Sequence, residues 1–189
     1  MLKTPQPDFR RLTASEADRL IAWAQEDPWR TMVIIALRTG LRYSELSALQ
    51  WEDIDWEQEI ITVKRSIVEG VMSATKNSRI RHVNMIREVR EGLEKLRQPS
   101  GFIFLFHGKP VLYKTARERL QRYCYEAGVP IIAWHDLRHT FATHLSACGA
   151  NIFAVQKLMG HSDIKMTQRY THLNTDELAC AMRLLEKTP

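Results

Sequence analysis

Residues 59–85 read EIITVKRSIVEGVMSATKNSRIRHVNM, and this stretch decides the fold. Its first third, EIITVKRSI, is rich in β-branched residues, which pack well on a pleated surface. The Glu69-Gly70 pair marks a turn, and RIRHVNM alternates apolar and polar residues with a period of two. Two or three antiparallel strands are predicted here. Outside this block the chain carries helical periodicity. Thr13 and Glu16 have the spacing of a capping box, and Leu12, Ala17, Leu20, Ile21 and Ala24 recur at helical intervals behind them. Pro28 opens a second helix that runs through MVIIAL to a stop at Gly40. A short helix is predicted from about Ser44 to Gln50, and another from about Arg87 to Arg97. An aromatic strand, GFIFLF, follows at 101–106. Beyond Pro110 the pattern is helical, with Gly128, Gly149 and Gly160 as stops. The expected class is therefore α+β, mainly helical, with a small antiparallel sheet inserted near residues 58–85. Residues 1–11, with Pro5 and Pro7, read as a linker, and residues 12–189 as one domain.

Composition narrows the function. The 189 residues are 44% hydrophobic, enough for a packed core. No apolar run approaches the ~20 residues that span a bilayer, and the N-terminus has no signal-peptide h-region. A cytoplasmic protein is expected. Cys124, Cys148 and Cys180 lie far apart with no CxxC pair, which argues against a zinc finger or a disulfide framework. The formal net charge of +5 favours an anionic partner, nucleic acid being the commonest. Lys64, Arg65, Lys76, Arg79, Arg81 and His82 gather in the strand block, and Lys114, Arg117, Arg119 and Arg122 on a later helix. The second run is equally well read as a solvated helix face.

The stretch 133–145, AWHDLRHTFATHL, puts three histidines and an arginine on one helix. His135 and Arg138, at i and i+3, share a face; His139 shares it only in part, and His144 lies roughly opposite. Leu137, Phe141 and Leu145 form a separate apolar stripe. A metal is disfavoured, because HDLRH lacks the glutamate of HExxH and sets an arginine between the candidate ligands. A phosphate is better served: guanidinium matches its oxygens with a planar fork, and imidazole beside it donates or moves a proton near neutral pH. Upstream, TGLRYSEL places Arg42 at a turn between two helices, with Glu45 spaced to hold its guanidinium. Downstream, LMGHSDIKMTQRYTHL places His161 at a helix end and Tyr170 nine residues later.

Taken in order, these three segments resemble the tyrosine recombinase, or phage integrase, family. The resemblance runs from about Leu12 to about Leu185 and implies the integrase catalytic-domain fold. It also implies a site-specific recombinase that cleaves and rejoins double-stranded DNA through a 3′-phosphotyrosine intermediate, without metal, cofactor or ATP. By that resemblance Tyr170 is the nucleophile, Arg42 and Arg138 clamp the non-bridging oxygens, His135 accepts the tyrosine proton, and His161 donates to the phosphate. The family's hairpin lysine is best matched by Lys76, with Lys64 a rival on sequence alone. Glu45 is expected to support Arg42, and Arg79 and Arg81 to contact backbone phosphates. His139, His144 and His172 read as structural or supporting, and Trp134 as packing beside the site.

Relatives usually carry a helical DNA-binding domain ahead of this one, which is expected to be missing here. They also assemble as tetramers on DNA, so self-association is expected, with a free monomer possible. A bacterial or phage-encoded, nucleoid-associated protein is implied. A final helix is predicted from NTDELACAMRLLEK, capped by Asn174 and Glu177, its stripe of Leu178, Ala181, Met182 and Leu185 packing on its own core or on a neighbouring protomer. Two other readings use the same residues: nicking and resealing without strand exchange, as in a topoisomerase, and a DNA-binding protein that has the fold without the chemistry.

Overall fold

The computed structural model describes residues 10–74, 80–168 and 170. Lys76, Arg79, Cys180, His172, most of the linker and the final predicted helix fall outside them.

Helix α1 (Ala14–Trp23) begins as its sequence demands: the Thr13 hydroxyl accepts from the Glu16 N–H, and the Glu16 carboxylate accepts from the Thr13 N–H. Helix α2 (Trp29–Thr39) is apolar on every side over Met32–Leu37, and each of those residues is buried. A helix of that kind must run through the core, and α2 touches α1, α4 (Arg87–Leu96), α5 (Tyr113–Glu126) and α6 (Trp134–Ala147). It ends at Gly40, whose φ of 66° is the left-handed cap a side chain resists. Helix α3 (Tyr43–Leu46) follows, shorter than predicted. The chain then turns through a 3₁₀ segment at Trp51–Asp53, and Asp53 anchors it by accepting the Gln50 N–H.

The strand block divides in two. Strands β1 (Ile54–Asp55), β2 (Ile60–Val63) and β5 (Arg81–Asn84) form one antiparallel sheet in the order β1-β2-β5, with Ile61 opposite Val83 and Val63 opposite Arg81. Strands β3 (Arg65–Val68) and β4 (Val71–Ala74) form a separate hairpin. Its loop, Glu69-Gly70, has positive φ at both residues, as a two-residue hairpin turn prefers. The inner face of the first sheet, Ile61, Val63 and Val83, packs into the core. The predicted strand at 101–106 survives only as β6 (Leu105–Phe106), paired with β7 (Lys109–Pro110). Its first half instead lies along the α3 exit, where Ile103 N–H donates to the Leu49 carbonyl and Phe102 bridges Gln50.

Helix α6 packs along α2, and α7 (Ile152–Met159) packs on α6. Beside the main core these last helices enclose a small second cluster of Phe141, Ala142, Val155, Met159 and Tyr170. A short helix α8 (Lys165–Gln168) leads to Tyr170. Among the described residues, no helix is long and apolar enough to cross a membrane, and no group of three or more metal-ligating side chains could hold an ion. Cys124 is buried and Cys148 exposed, and neither is in a disulfide.

Candidate active site

Four pieces of chain meet where α2, α6 and α7 come together. Gly40 permits the meeting. A Cβ there would lie 2.4 Å from the Phe141 ring, so α6 approaches α2 only because this residue has none. Arg138, on α6, is 1% exposed. One Nη donates to the Gly40 carbonyl at 2.5 Å, the other to the Met159 carbonyl. These carbonyls belong to the C-terminal ends of α2 and α7, where helices leave acceptors unmet. Arg138 therefore staples two helix ends and still keeps three of its five N–H groups for an anion. Burial, with Arg42 and Arg81 nearby, pulls its guanidinium down to about 9. Glu45 and Tyr170 act in the opposite sense, and it remains cationic at neutral pH.

Arg42 follows Gly40 in the turn and is about a third exposed (33%). Glu45, one helical turn on, accepts from its backbone N–H at 2.8 Å and from Nη1 at 2.9 Å. Glu45 is itself 3% exposed and also receives Arg81 through two parallel bonds, at 2.9 and 2.7 Å. Burial alone would raise this carboxyl. The hydrogen bonds and charge of Arg81, then those of Arg42, outweigh it and hold the group at about 2. Arg81 completes its own set by donating from Nε to the Leu158 carbonyl at 3.0 Å. Its placement differs from the expectation of a surface phosphate contact: it is buried, bound on its fork to Glu45, and joins β5 to the end of α7. The reason is the strand's period of two, which puts Arg81 on the inward face with Val83.

The other basic residues of the strand block are also engaged. Lys64 and Arg65 lie 2.9 and 2.5 Å from Asp53 Oδ1, so Lys64, the rival to Lys76, is held at the root of the hairpin. On α5, Arg119 and Arg122 pair with Glu26.

His161 follows Gly160, the left-handed cap of α7. Its Nδ1 lies 2.8 Å from the Thr167 hydroxyl, and its ring is parallel to that of Tyr170 with centroids 6.4 Å apart. Tyr170 is 5% exposed, its ring set in the second cluster. Its hydroxyl hydrogen-bonds Nδ1 of His139. His139 is buried one residue past Arg138. The exposed His135 ring stands perpendicular to that of His139, with centroids 4.4 Å apart. His144 is structural: its Nε2 donates to the Leu12 carbonyl at 2.8 Å. Trp134 is buried against Tyr43, which packs edge-on against Tyr113. Beside them Arg42, His135 and the β3–β4 turn border an open cavity of about 560 Å³.

Two guanidiniums, three imidazoles and a phenol thus converge beside an open cavity, with a third guanidinium behind them. Residues 10–177 match the model of the phage integrase family. The chain belongs to that family. It is similar to the tyrosine recombinase XerA of Thermococcus kodakarensis, 31% identical over 98% of this chain and 67% of the relative. Among solved structures it resembles the integrase of the Tn1549 transposon in complex with a circular-intermediate DNA. That match has a TM-score of 0.82 at 27% identity and covers 96% of this chain and 68% of the other. The catalytic domain of bacteriophage HP1 integrase matches with a TM-score of 0.72 at 26% identity, over 93% of this chain and 95% of that domain. Among the curated relatives, the chain spans between half and two thirds of their length.

The integrase fold expected from the three motifs is the fold observed. Arg42, Glu45, His135, Arg138, His161 and Tyr170 are gathered around one point; Lys76 and Arg79 lie outside the described residues. Two neighbours of the site were given other or weaker roles by the sequence. Arg81 carries a readable signal in the alternation of RIRHVNM. His139 lies one turn past His135, which puts it partly on the same face, but nothing in the sequence shows that it meets Tyr170.

Proposed function

We propose that this chain is the catalytic part of a site-specific DNA recombinase, a strand transferase that breaks and rejoins a phosphodiester through Tyr170. One observation carries the reading most directly: the Tyr170 hydroxyl hydrogen-bonds a buried imidazole on α6, the helix from which Arg138 reaches the ends of α2 and α7. Tyr170 attacks phosphorus and expels the 5′ oxygen, and the 3′-phosphotyrosine keeps the phosphoester energy, so resealing needs no ATP. Arg42 and the free donors of Arg138 bind the non-bridging oxygens. The pentacoordinate transition state carries more negative charge than the diester, so fixed cations stabilise it preferentially. Glu45 aims Arg42. His161 donates to the phosphate, and His135, on the exposed face, is the family's acid–base histidine. Lys76 protonates the leaving 5′ oxygen, and Arg79 contacts the DNA backbone. Double-stranded DNA is the partner, and strand exchange takes place in a tetramer on it, in a bacterial or phage-derived setting near the nucleoid.

Covalent trapping tests this. The protein is incubated in EDTA with a pool of nicked duplexes of randomised sequence, and adducts are resolved by denaturing electrophoresis and mass spectrometry. Wild type is expected to yield an adduct on Tyr170, and Tyr170→Phe none. Duplex binding without any adduct overturns the assignment and leaves a DNA-binding protein on a recombinase fold.

A further inference from the structure

We infer that Arg81 is a positioning residue for the reaction: it occupies the Glu45 carboxylate and so keeps the Arg42 guanidinium open to the DNA phosphate. The inference rests on the reading of Arg42 as a phosphate clamp.

Glu45 is a hazard to the residue it supports. It is 3% exposed, and a carboxylate at that depth needs a cation to offset the loss of water. Arg42 lies three residues before it, and a guanidinium fork matches both oxygens of a carboxylate. Paired in that way, Arg42 would be neutralised inside the protein and its fork turned away from DNA. The observed arrangement differs. Arg42 gives Glu45 its backbone N–H at 2.8 Å and only one nitrogen of its guanidinium, Nη1, at 2.9 Å. Arg81 takes both oxygens, Nη1 on Oε1 at 2.9 Å and Nη2 on Oε2 at 2.7 Å. Burial would raise the Glu45 carboxyl, and Arg81 does more than Arg42 to hold it down. Nε and Nη2 of Arg42 take no part in the pair, and the residue borders the open cavity. Two guanidiniums against one carboxylate leave a positive charge for the phosphate. Without Arg81, the carboxylate and Arg42 cancel.

Arg81 does not itself face DNA. It is 9% exposed, its fork is turned onto Glu45, and its Nε donates to the Leu158 carbonyl at 3.0 Å. Its stem passes Gly160 so closely that a Cβ there would lie 3.3 Å from its Cδ. At its root it sits opposite Val63 in the sheet. Strand β5 and the end of α7 therefore fix the guanidinium before any substrate arrives, which is what preorganised charge requires.

The experiment has two readouts. Fluorescence anisotropy with a duplex of unrelated sequence gives the slope of log affinity against log salt. Single-turnover adduct formation on nicked duplexes, at saturating protein, gives the rate. Arg81→Gln alters no group that faces DNA, yet it should lower the salt slope by about one unit, as loss of the Arg42 contact does. In an Arg42→Ala background it should lower the slope no further, because both changes remove the same contact. Its adduct formation should be slower by roughly 100-fold, the scale of losing one transition-state donor. Adding Glu45→Gln should bring the rate back to within about 10-fold of wild type, since no carboxylate is left to draw Arg42 in. Arg81→Lys keeps the charge without the fork and should fall between Arg81→Gln and wild type. It carries the same tests where circular dichroism shows that the Gln variant does not fold. A slope lowered equally in both backgrounds would mean that Arg81 acts on DNA by itself. Slowing that Glu45→Gln deepens would make Arg81 a packing residue. Either result overturns the inference, as does a Gln variant with the slope and rate of wild type. Wild type that binds DNA without forming an adduct removes the recombinase reading, and the slopes alone then decide whether Arg81 frees Arg42.

Discussion

A single carboxylate organises the positive charge of the site. Glu45 receives both Arg42 and Arg81 and is held at about 2, against an ordinary value of 4.5. Its folded pKa is depressed, so its contribution to stability is fully present above about pH 4.5 and is lost as pH falls toward 2. A shift of that size corresponds to about 3 kcal/mol. Urea unfolding followed from pH 7 to pH 3 should show this loss in wild type. Glu45→Gln should be less stable at pH 7 by a comparable amount, because it leaves two cations facing each other, and should lack that part of the pH dependence. Identical pH profiles would show that the carboxylate is not the titrating group. The sequence revealed half of this arrangement. The three-residue spacing of Arg42 and Glu45 is local and readable. The second partner, Arg81, lies 36 residues away along the chain, and only the face it occupies on β5, not its mate, can be read from alternation.

Two helices end at left-handed glycines beside the site, and their ends explain why it is rigid. Gly40 closes α2 with φ 66° and Gly160 closes α7 with φ 62°, and Arg138 takes a carbonyl from the end of each helix. Stops of this kind are legible, since both glycines break helical patterns. Their convergence is not legible, because it depends on how α6 packs. The strand block shows the same limit. Its β character is written in its β-branched residues, whereas its division into a three-stranded sheet and a separate hairpin is a matter of which partner each strand finds. Gly40→Ala tests the helix ends. The added methyl would lie 2.4 Å from Phe141 and force a side chain into the left-handed region. Its cost should be about 2–4 kcal/mol, read as a lower urea midpoint at unchanged slope. Gly40→Ala combined with Phe141→Leu should be more stable than the sum of the two single losses, because the second change makes room for the first. Strict additivity would mean that Phe141 is not what the methyl meets.

At the scale of the whole molecule, charge decides how the protein meets its partner. The chain carries a net charge of +5, yet much of its basic complement is already paired. Lys64 and Arg65 face Asp53, Arg119 and Arg122 face Glu26, and Arg81 faces Glu45. A reading of basic runs along the sequence overstates the surface available to DNA, because ion pairs between distant residues are invisible in it. At the site, Arg42 and Arg81 share the buried Glu45 carboxylate and Arg138 lies beside them on backbone carbonyls, so the site itself stays cationic without DNA. A duplex should therefore bind through few contacts and with a moderate salt dependence. For about four neutralised phosphates, affinity should fall roughly 100-fold between about 50 and 200 mM salt. Fluorescence anisotropy with a duplex of unrelated sequence measures the slope of log affinity against log salt. Arg42→Ala should lower that slope by about one unit, as loss of a single phosphate contact does. An affinity indifferent to salt would mean that these guanidiniums do not face a polyanion, and the recombinase chemistry proposed for them would lose its substrate.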